Sequence, residues 1–148
     1  MLKDKLQQDL KEALLGGDKA KTEVLRGLKS AILYEEVAKG VRDTGLSDDA
    51  ILVVFAREAK KRAESADLYQ GAGETVRAET ELAEKKIIDG YLPAQLSDEE
   101  LAEKVRAAIA ELGDNAQFGP IIGKVKQQVG TAADGGRIAA AVKTALAK

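Results

Sequence analysis

The sequence contains no cysteine and no histidine, and these two absences remove most of the common catalytic and metal-binding chemistry. Without cysteine there is no disulfide, no thiol nucleophile and no thiolate metal ligand. Without histidine the chain lacks the side chain that most often transfers protons near neutral pH, which is also the most common metal ligand. A catalyst would have to use carboxylates, lysine, tyrosine or serine, and a metal site would need carboxylates around a hard cation.

Aromatic residues and long apolar runs are also scarce. Aromatics make up 3 % of the 148 residues, although 45 % of the residues are hydrophobic, so the core must be aliphatic and rich in alanine. This composition favours closely packed helices. No apolar run approaches the roughly 20 residues that span a bilayer. The start of the chain is charged and unlike a secretory signal, so we expect a cytoplasmic protein that does not enter a membrane.

Apolar residues recur at helical spacing along nearly the whole chain. Leu2, Leu6, Leu10 and Leu14 are four residues apart and predict a first helix, which Gly16 should end. A serine with acids in the following turn is a typical helix start, and the residue before a proline tends to end one, as at Pro93. Six further helices are predicted to begin near Asp18, Ser47, Val76, Ser97, Phe118 and Asp134.

These helices predict an all-α fold with two parts. The natural boundary is the stretch from Tyr91 to Leu96, where the helical pattern stops. We assign residues 1–94 to an N-terminal four-helix unit and residues 95–148 to a small C-terminal three-helix domain. The second part lies near the lower size limit for independent folding, so contact with the first is plausible.

The carboxylates give little sign of an active site. Acid pairs such as Glu35-Glu36 and Asp48-Asp49 lie among lysines and arginines at helical spacing, which is typical of solvated or capping residues. No Walker-type loop, dinucleotide-binding glycine motif or nucleophile elbow is present. We therefore expect no catalytic residues, no metal and no cofactor.

Two groups of basic residues remain as candidate binding sites. The densest cluster, Lys60-Lys61-Arg62, has two interpretations: a helix face neutralised by neighbouring acids, or a stripe that meets phosphates or an acidic partner. Residues 113–148 carry five cations against two acids, whereas residues 1–112 have a net charge of −5. This asymmetry favours the last two helices as the surface for an anionic partner. The candidates are Arg26, Lys29, Lys60, Lys61 and Arg62 in the first part, and Lys124, Lys126, Arg137 and Lys143 in the second.

The start of the last helix is a further candidate. Gly135 and Gly136 leave backbone N–H groups open at a helix N-terminus, where phosphate binds favourably. Asp134 can instead cap the same amides and would repel phosphate. Capping is the favoured interpretation, and both hold if phosphate contacts the flanking lysines and arginine.

Three stretches stand out in order along the chain: Leu25-Arg26-Gly27-Leu28-Lys29-Ser30-Ala31-Ile32, Glu58-Ala59-Lys60-Lys61-Arg62-Ala63-Glu64-Ser65 and Tyr91-Leu92-Pro93-Ala94-Gln95-Leu96-Ser97, with Gly119, Gly123 and Ala133-Asp134-Gly135 in the tail. These stretches resemble the GatB/YqeY family, and the tail residues fall at the family's spacing. The chain is similar over essentially its whole length to the YqeY-like proteins, which are related to the C-terminal part of the GatB subunit of the aspartyl/glutamyl-tRNA amidotransferase.

The resemblance implies a helical domain followed by a tail domain with a link to tRNA. In the amidotransferase the related tail helps to grip tRNA, whereas the amide chemistry occurs elsewhere. A carbon–nitrogen ligase label with glutamine as amido-N-donor would therefore be inherited rather than an activity of this chain. Pro120 and Thr131-Ala132 replace residues that are often basic or glycine in relatives, so two expected RNA-facing charges are missing.

We draw three hypotheses from these patterns. The leading one is a non-catalytic tRNA-associated module whose tail contacts the RNA backbone, with a tRNA synthetase or amidotransferase component as a further partner. The second is a protein–protein adaptor that docks on a tRNA enzyme or another partner without RNA contact. The third is an enzyme, which a deep pocket with converging carboxylates would support.

Overall fold

The computed structural model describes residues 1–147, and all regular structure in that range is helical. Because those residues contain no strand, the predicted all-α fold is confirmed. The helices are α1 (Leu2–Leu15), α2 (Lys19–Lys39), α3 (Asp48–Gly71), α4 (Thr75–Asp89), α5 (Asp98–Leu112), α6 (Phe118–Val129) and α7 (Gly135–Leu146), and a 3₁₀ turn (Gly130–Ala132) follows α6.

Side-chain caps determine where several helices begin. The Asp18 carboxylate accepts a hydrogen bond from the Lys21 backbone N–H at 3.0 Å and starts α2. Ser47 caps α3, and Ser97 with Glu100 forms the predicted capping box of α5. Each cap satisfies backbone donors that have no partner within the helix.

The chain divides into two compact units between Leu92 and Pro93. The first contains α1 to α4 and the second α5 to α7. Their cores are aliphatic, apart from the fully buried ring of Phe55. The assignment of residues 1–94 and 95–148 to separate domains stays a prediction. The largest fully buried side chains beside Phe55 are Leu6, Leu25, Leu28, Ile32, Ile51 and Ile88 in the first unit, and Val105, Ile121, Val125, Ile138 and Val142 in the second.

Tyr91, which follows α4, contacts residues of α1 and α3 in the first unit. Its ring packs edge-on against Phe55 with 5.5 Å between the ring centroids, and its hydroxyl donates a hydrogen bond to Asp9. Burial and the neighbouring carboxylate raise the pKa of Tyr91, while the same hydrogen bond is the main cause of the lowered pKa of Asp9. The start of the interdomain stretch therefore has a structural role in this unit.

Glu36 corrects one expectation from the sequence. Its side chain is not solvated: the residue is only 3 % exposed, within the first unit. The carboxylate oxygen Oε2 accepts hydrogen bonds from Lys3 Nζ at 2.7 Å and from the Leu46 backbone N–H at 3.0 Å. These bonds join α1, α2 and the segment before α3. The hydrogen bond from Lys3 is the largest cause that holds the pKa of Glu36 below its usual range, and the Leu46 bond acts in the same direction.

Replacing Glu36 by glutamine should lower the free energy of unfolding at pH 7 by about 2 kcal/mol, because the hydrogen bonds to a charged acceptor are weakened. Since the pKa of Glu36 is depressed in the folded protein, its contribution is present above the unfolded pKa and is lost as the pH falls through the folded value. Urea titrations from pH 3 to 7 should therefore show a smaller loss at acid pH for Glu36→Gln than for the wild type. Equal pH dependence of the two proteins would contradict this assignment.

Substitutions in the two cores test the predicted domains. Ile121→Ala and Leu25→Ala each remove a fully buried aliphatic side chain, one from each unit, and should each cost about 3 kcal/mol. If the units fold independently, residue-by-residue hydrogen exchange will show faster global exchange in only the substituted unit. Faster exchange of both units with either variant would show one cooperative body and contradict the domain assignment.

Candidate nucleic-acid interface

The first turn of α7 combines a cap with an open backbone. Asp134 accepts a hydrogen bond from the Arg137 backbone N–H at 2.8 Å, so the predicted cap is present. Gly135 and Gly136 are both exposed. A phosphate therefore finds an accessible helix start, but also the carboxylate of Asp134 at its edge.

Lys126 reaches this helix start from α6. Its Nζ lies 3.4 Å from the position that a Cβ atom would occupy on Gly135. The ammonium group therefore lies in van der Waals range of the first residue of α7. Lys126 forms no ion pair with another described residue, so its charge is available to an anion.

Lys143 continues the same exposed face of α7. It follows Gly136 by seven residues, which is close to two helical turns and about 10 Å along the axis. Ala140 is exposed between them. Lys143 also has no ion-pair partner among residues 1–147. The face is thus a strip of small residues with an ammonium group near each end.

Arg137 has a structural role that the sequence did not indicate. Its Nη2 donates hydrogen bonds to the Leu96 carbonyl oxygen at 2.7 Å and to Asp98 Oδ1 at 3.0 Å. These contacts join the start of α7 to the start of α5. Because the guanidinium is occupied by these partners, it offers less to a phosphate than its charge alone suggests.

Lys124 is similarly engaged. Its Nζ lies 2.5 Å from Glu111 Oε2 on α5, and the lysine side chain is 29 % exposed. A partly exposed pair of this kind contributes little stability and can exchange partners. Of the four basic candidates in the second unit, Lys126 and Lys143 are therefore the two without an acid partner among the described residues.

The two departures in the tail have structural explanations. Pro120 lies in the first turn of α6, where its missing N–H is not needed by the helix. Thr131 and Ala132 lie in the 3₁₀ turn, and their carbonyl oxygens accept hydrogen bonds from the Gln95 side chain at 2.9 Å and the Leu96 backbone N–H at 2.8 Å. This turn anchors the segment that precedes α5.

In the first unit, most of the predicted basic cluster is neutralised. Arg62 bridges Glu58 and Glu84 at 3.3 and 3.1 Å, and Lys61 lies 3.8 Å from Glu58. This matches the interpretation of a salt-bridged helix face. The remaining candidates are exposed and form no ion pair with a described residue; they are Arg26, Lys29 and Lys60.

A cavity of about 570 Å³ lies between α1 and α2. Lys29 and Arg42 line it together with two carboxylates, Asp4 and Glu36. Glu36 is already held by Lys3 and the Leu46 amide. The two acids therefore do not form a free pair of the kind that general acid–base chemistry needs.

Comparison with known proteins supports the resemblance. A family model described as YqeY-like protein matches residues 3–146. The chain is also 33 % identical over 147 residues to Altered inheritance of mitochondria protein 41, mitochondrial, from Eremothecium gossypii. The match covers 96 % of this chain and 79 % of the relative.

This relative overturns one expectation from the sequence. The expected cytoplasmic location is wrong as stated, because a relative that matches nearly the whole chain is a mitochondrial protein. Composition carries no information that separates these two compartments. Among the described residues, no helix has the length and apolar character needed to cross a membrane.

The matched range includes the capped helix starts, both aliphatic cores, Lys126 on α6 and the α7 face that carries Lys143. With a family model that spans residues 3–146 and a relative that aligns over nearly the whole chain, this chain belongs to the YqeY-like protein family.

Proposed function

We propose that this protein is a non-catalytic module that associates with tRNA through the exposed face of α7. The observation that carries the proposal is the pair of unengaged ammonium groups, Lys126 and Lys143, at the two ends of a strip of small residues. In the GatB/YqeY resemblance the corresponding tail is the part linked to tRNA. We extend that role to this chain as an RNA-binding, rather than amide-forming, role.

The chemistry of the strip suits a sugar–phosphate backbone. Gly136 and Ala140 have little or no side chain, so a backbone can approach α7 closely while each ammonium neutralises a phosphate. Aromatic side chains for base stacking are absent from the described part of the second unit beyond Phe118, so readout of bases by stacking is not expected. Contact with the backbone and the shape of folded RNA fits these residues better.

The structure limits how strong this binding should be. Arg137 and Lys124 are engaged by protein partners, and Asp134 places a negative charge at one end of the strip. Two ammonium groups are free, and Lys124 can exchange its carboxylate partner for a phosphate. We therefore expect a modest affinity for tRNA that falls steeply as the salt concentration rises.

The adaptor hypothesis has its own support in the first unit. Leu33, Tyr34 and Val37 on α2 are 42 %, 77 % and 59 % exposed. Neighbouring exposed apolar side chains on one helix are typical of protein-binding surfaces. A binding experiment with purified tRNA distinguishes the two functions, because an adaptor without RNA contact would give no salt-sensitive tRNA binding.

Replacing Lys126 and Lys143 together by glutamine should weaken tRNA binding about tenfold at low salt. It should also reduce the slope of log K against log salt concentration by about 2, one for each lost phosphate contact. Fluorescence anisotropy with labelled tRNA at several salt concentrations measures both. The matched control is Lys104→Gln with Arg106→Gln on α5, which changes the net charge equally and should leave the slope unchanged. Equal loss in both doubles, or no binding by the wild type at low salt, would reject the proposal.

Replacing Arg137 by glutamine should act mainly on stability. It removes the bond to the Leu96 carbonyl, and we expect a loss of about 1.5 kcal/mol in the free energy of unfolding; the contact with the highly exposed Asp98 should add little. Lys143→Gln should change stability by less than about 0.5 kcal/mol. Urea titrations compare the two, and a larger loss for Lys143→Gln would contradict the roles assigned here.

A further inference from the structure

The helices α3 and α4 extend beyond the core of the first unit as an antiparallel hairpin. Two contacts fix their register: Arg62 Nε lies 3.1 Å from Glu84 Oε2, and the Arg77 guanidinium lies 5.8 Å from the centroid of the Tyr69 ring. The first unit's core takes its last contribution from α3 at Ala59. We call residues 63–83, beyond the Arg62–Glu84 pair, the hairpin arm.

The hairpin arm buries very little apolar surface. Its only buried residues are Ala66 and Ala78, so its two helices approach each other through small side chains. From Arg62 to the end of α3 at Gly71 the helix rises by about 14 Å. Most residues of the arm are exposed and can be reached by another molecule.

Large apolar side chains lie exposed on this arm. Leu68 and Val76 are each 76 % exposed, and Leu82 is 52 % exposed. Leu68 and Val76 immediately precede Tyr69 and Arg77, the residues that contact each other across the hairpin. Both therefore lie at the same end of the arm, within about one helical turn. Exposed apolar residues are unremarkable singly, but clustering at one end indicates a contact surface.

The net charge of the hairpin arm indicates which kind of partner can bind to this surface. The arm has five carboxylates against one cation, Arg77, which gives a net charge of −4 in a chain whose total is −2. None of the five forms an ion pair with another described residue. The carboxylates are Glu64, Asp67, Glu74, Glu79 and Glu81.

We propose that the hairpin arm docks on a partner protein whose surface combines basic side chains with an apolar depression. Such a surface receives Leu68 and Val76 at its centre and pairs its cations with the surrounding carboxylates. Phosphates of RNA and anionic lipid headgroups are repelled by this charge. A second copy of the chain would bring two arms of −4 together, which is also unfavourable. The arm and the α7 face belong to different units, so this proposal does not depend on tRNA binding.

A photo-crosslinking amino acid placed at Leu68, and in a second protein at Leu15 on α1, which is 80 % exposed, tests the docking surface in the native cells. The expected result is a protein adduct from Leu68 that is absent or weaker from Leu15, with the cross-linked site in a basic region of the adduct. No protein adduct above the Leu15 level, or adducts only with RNA or with another copy of this chain, would overturn the proposal.

The partner that the cross-link identifies is then purified and titrated with this protein in a calorimeter, which measures how much the arm contributes to the affinity. Leu68→Gln with Val76→Gln keeps good helix formers in both helices and should raise Kd about tenfold or more. Leu15→Gln with Val53→Gln, which changes one exposed leucine and one exposed valine outside the arm, is the matched control and should leave Kd unchanged. Glu64→Gln with Asp67→Gln should weaken binding at low salt and make it less salt-dependent. An unchanged Kd for the double variant at Leu68 and Val76, or a greater loss of affinity in the control variant, would reject the arm as the docking surface. Neither result depends on Lys126 or Lys143, so each proposal can fail without the other.

Discussion

The exclusion of water from two small aliphatic cores is the constraint on which the rest of the structure depends. With few aromatic rings available, stability has to come from many leucine, isoleucine, valine and alanine contacts between amphipathic helices. Each helix contributes to these contacts by burying one stripe of apolar side chains. The position of that stripe determines which residues of the helix remain exposed. The exposed face of α7 and the acidic face of the hairpin arm are what remains after the inward faces have been chosen.

The number of cations in the tail sequence is larger than the number that are free to bind a ligand. The tail has more cations than acids in its sequence, yet Arg137 and Lys124 are engaged by Leu96, Asp98 and Glu111. Their contacts link α5 to α6 and α7. Among the described cations of residues 113–148, those without an acid partner are Lys126, which lies beside Gly135, and Lys143. A map of charge along the sequence therefore overstates the basic character of this unit.

The helices were predictable because their signals are local. Capping residues, glycine breaks and apolar spacing lie within a few positions of the helix ends they determine, and α2, α3 and α5 begin where those signals place them. The roles of Glu36 and Arg137 were missed because their partners are 33 and 41 residues away in sequence. For Glu36 a signal existed: it follows Leu28 and Ile32 at four-residue intervals, on the buried stripe of α2. For Arg137 no local pattern points to the Leu96 carbonyl, since that contact exists only once α5 and α7 are packed together.

The two proposed surfaces carry opposite charge, and this difference limits what each can bind. The acidic arm in the first unit and the free ammonium groups of Lys126 on α6 and Lys143 on α7 cannot both be complementary to a uniform polyanion. A phosphate is attracted by the two ammonium groups and repelled by the carboxylates of the arm. A protein that itself handles RNA has a basic surface, because it must neutralise phosphates. Such a protein is complementary to the arm through the same charges that repel RNA from it. The two proposals together therefore assign an RNA to one unit and a basic protein to the other, so that the two proposed partners do not compete for one surface.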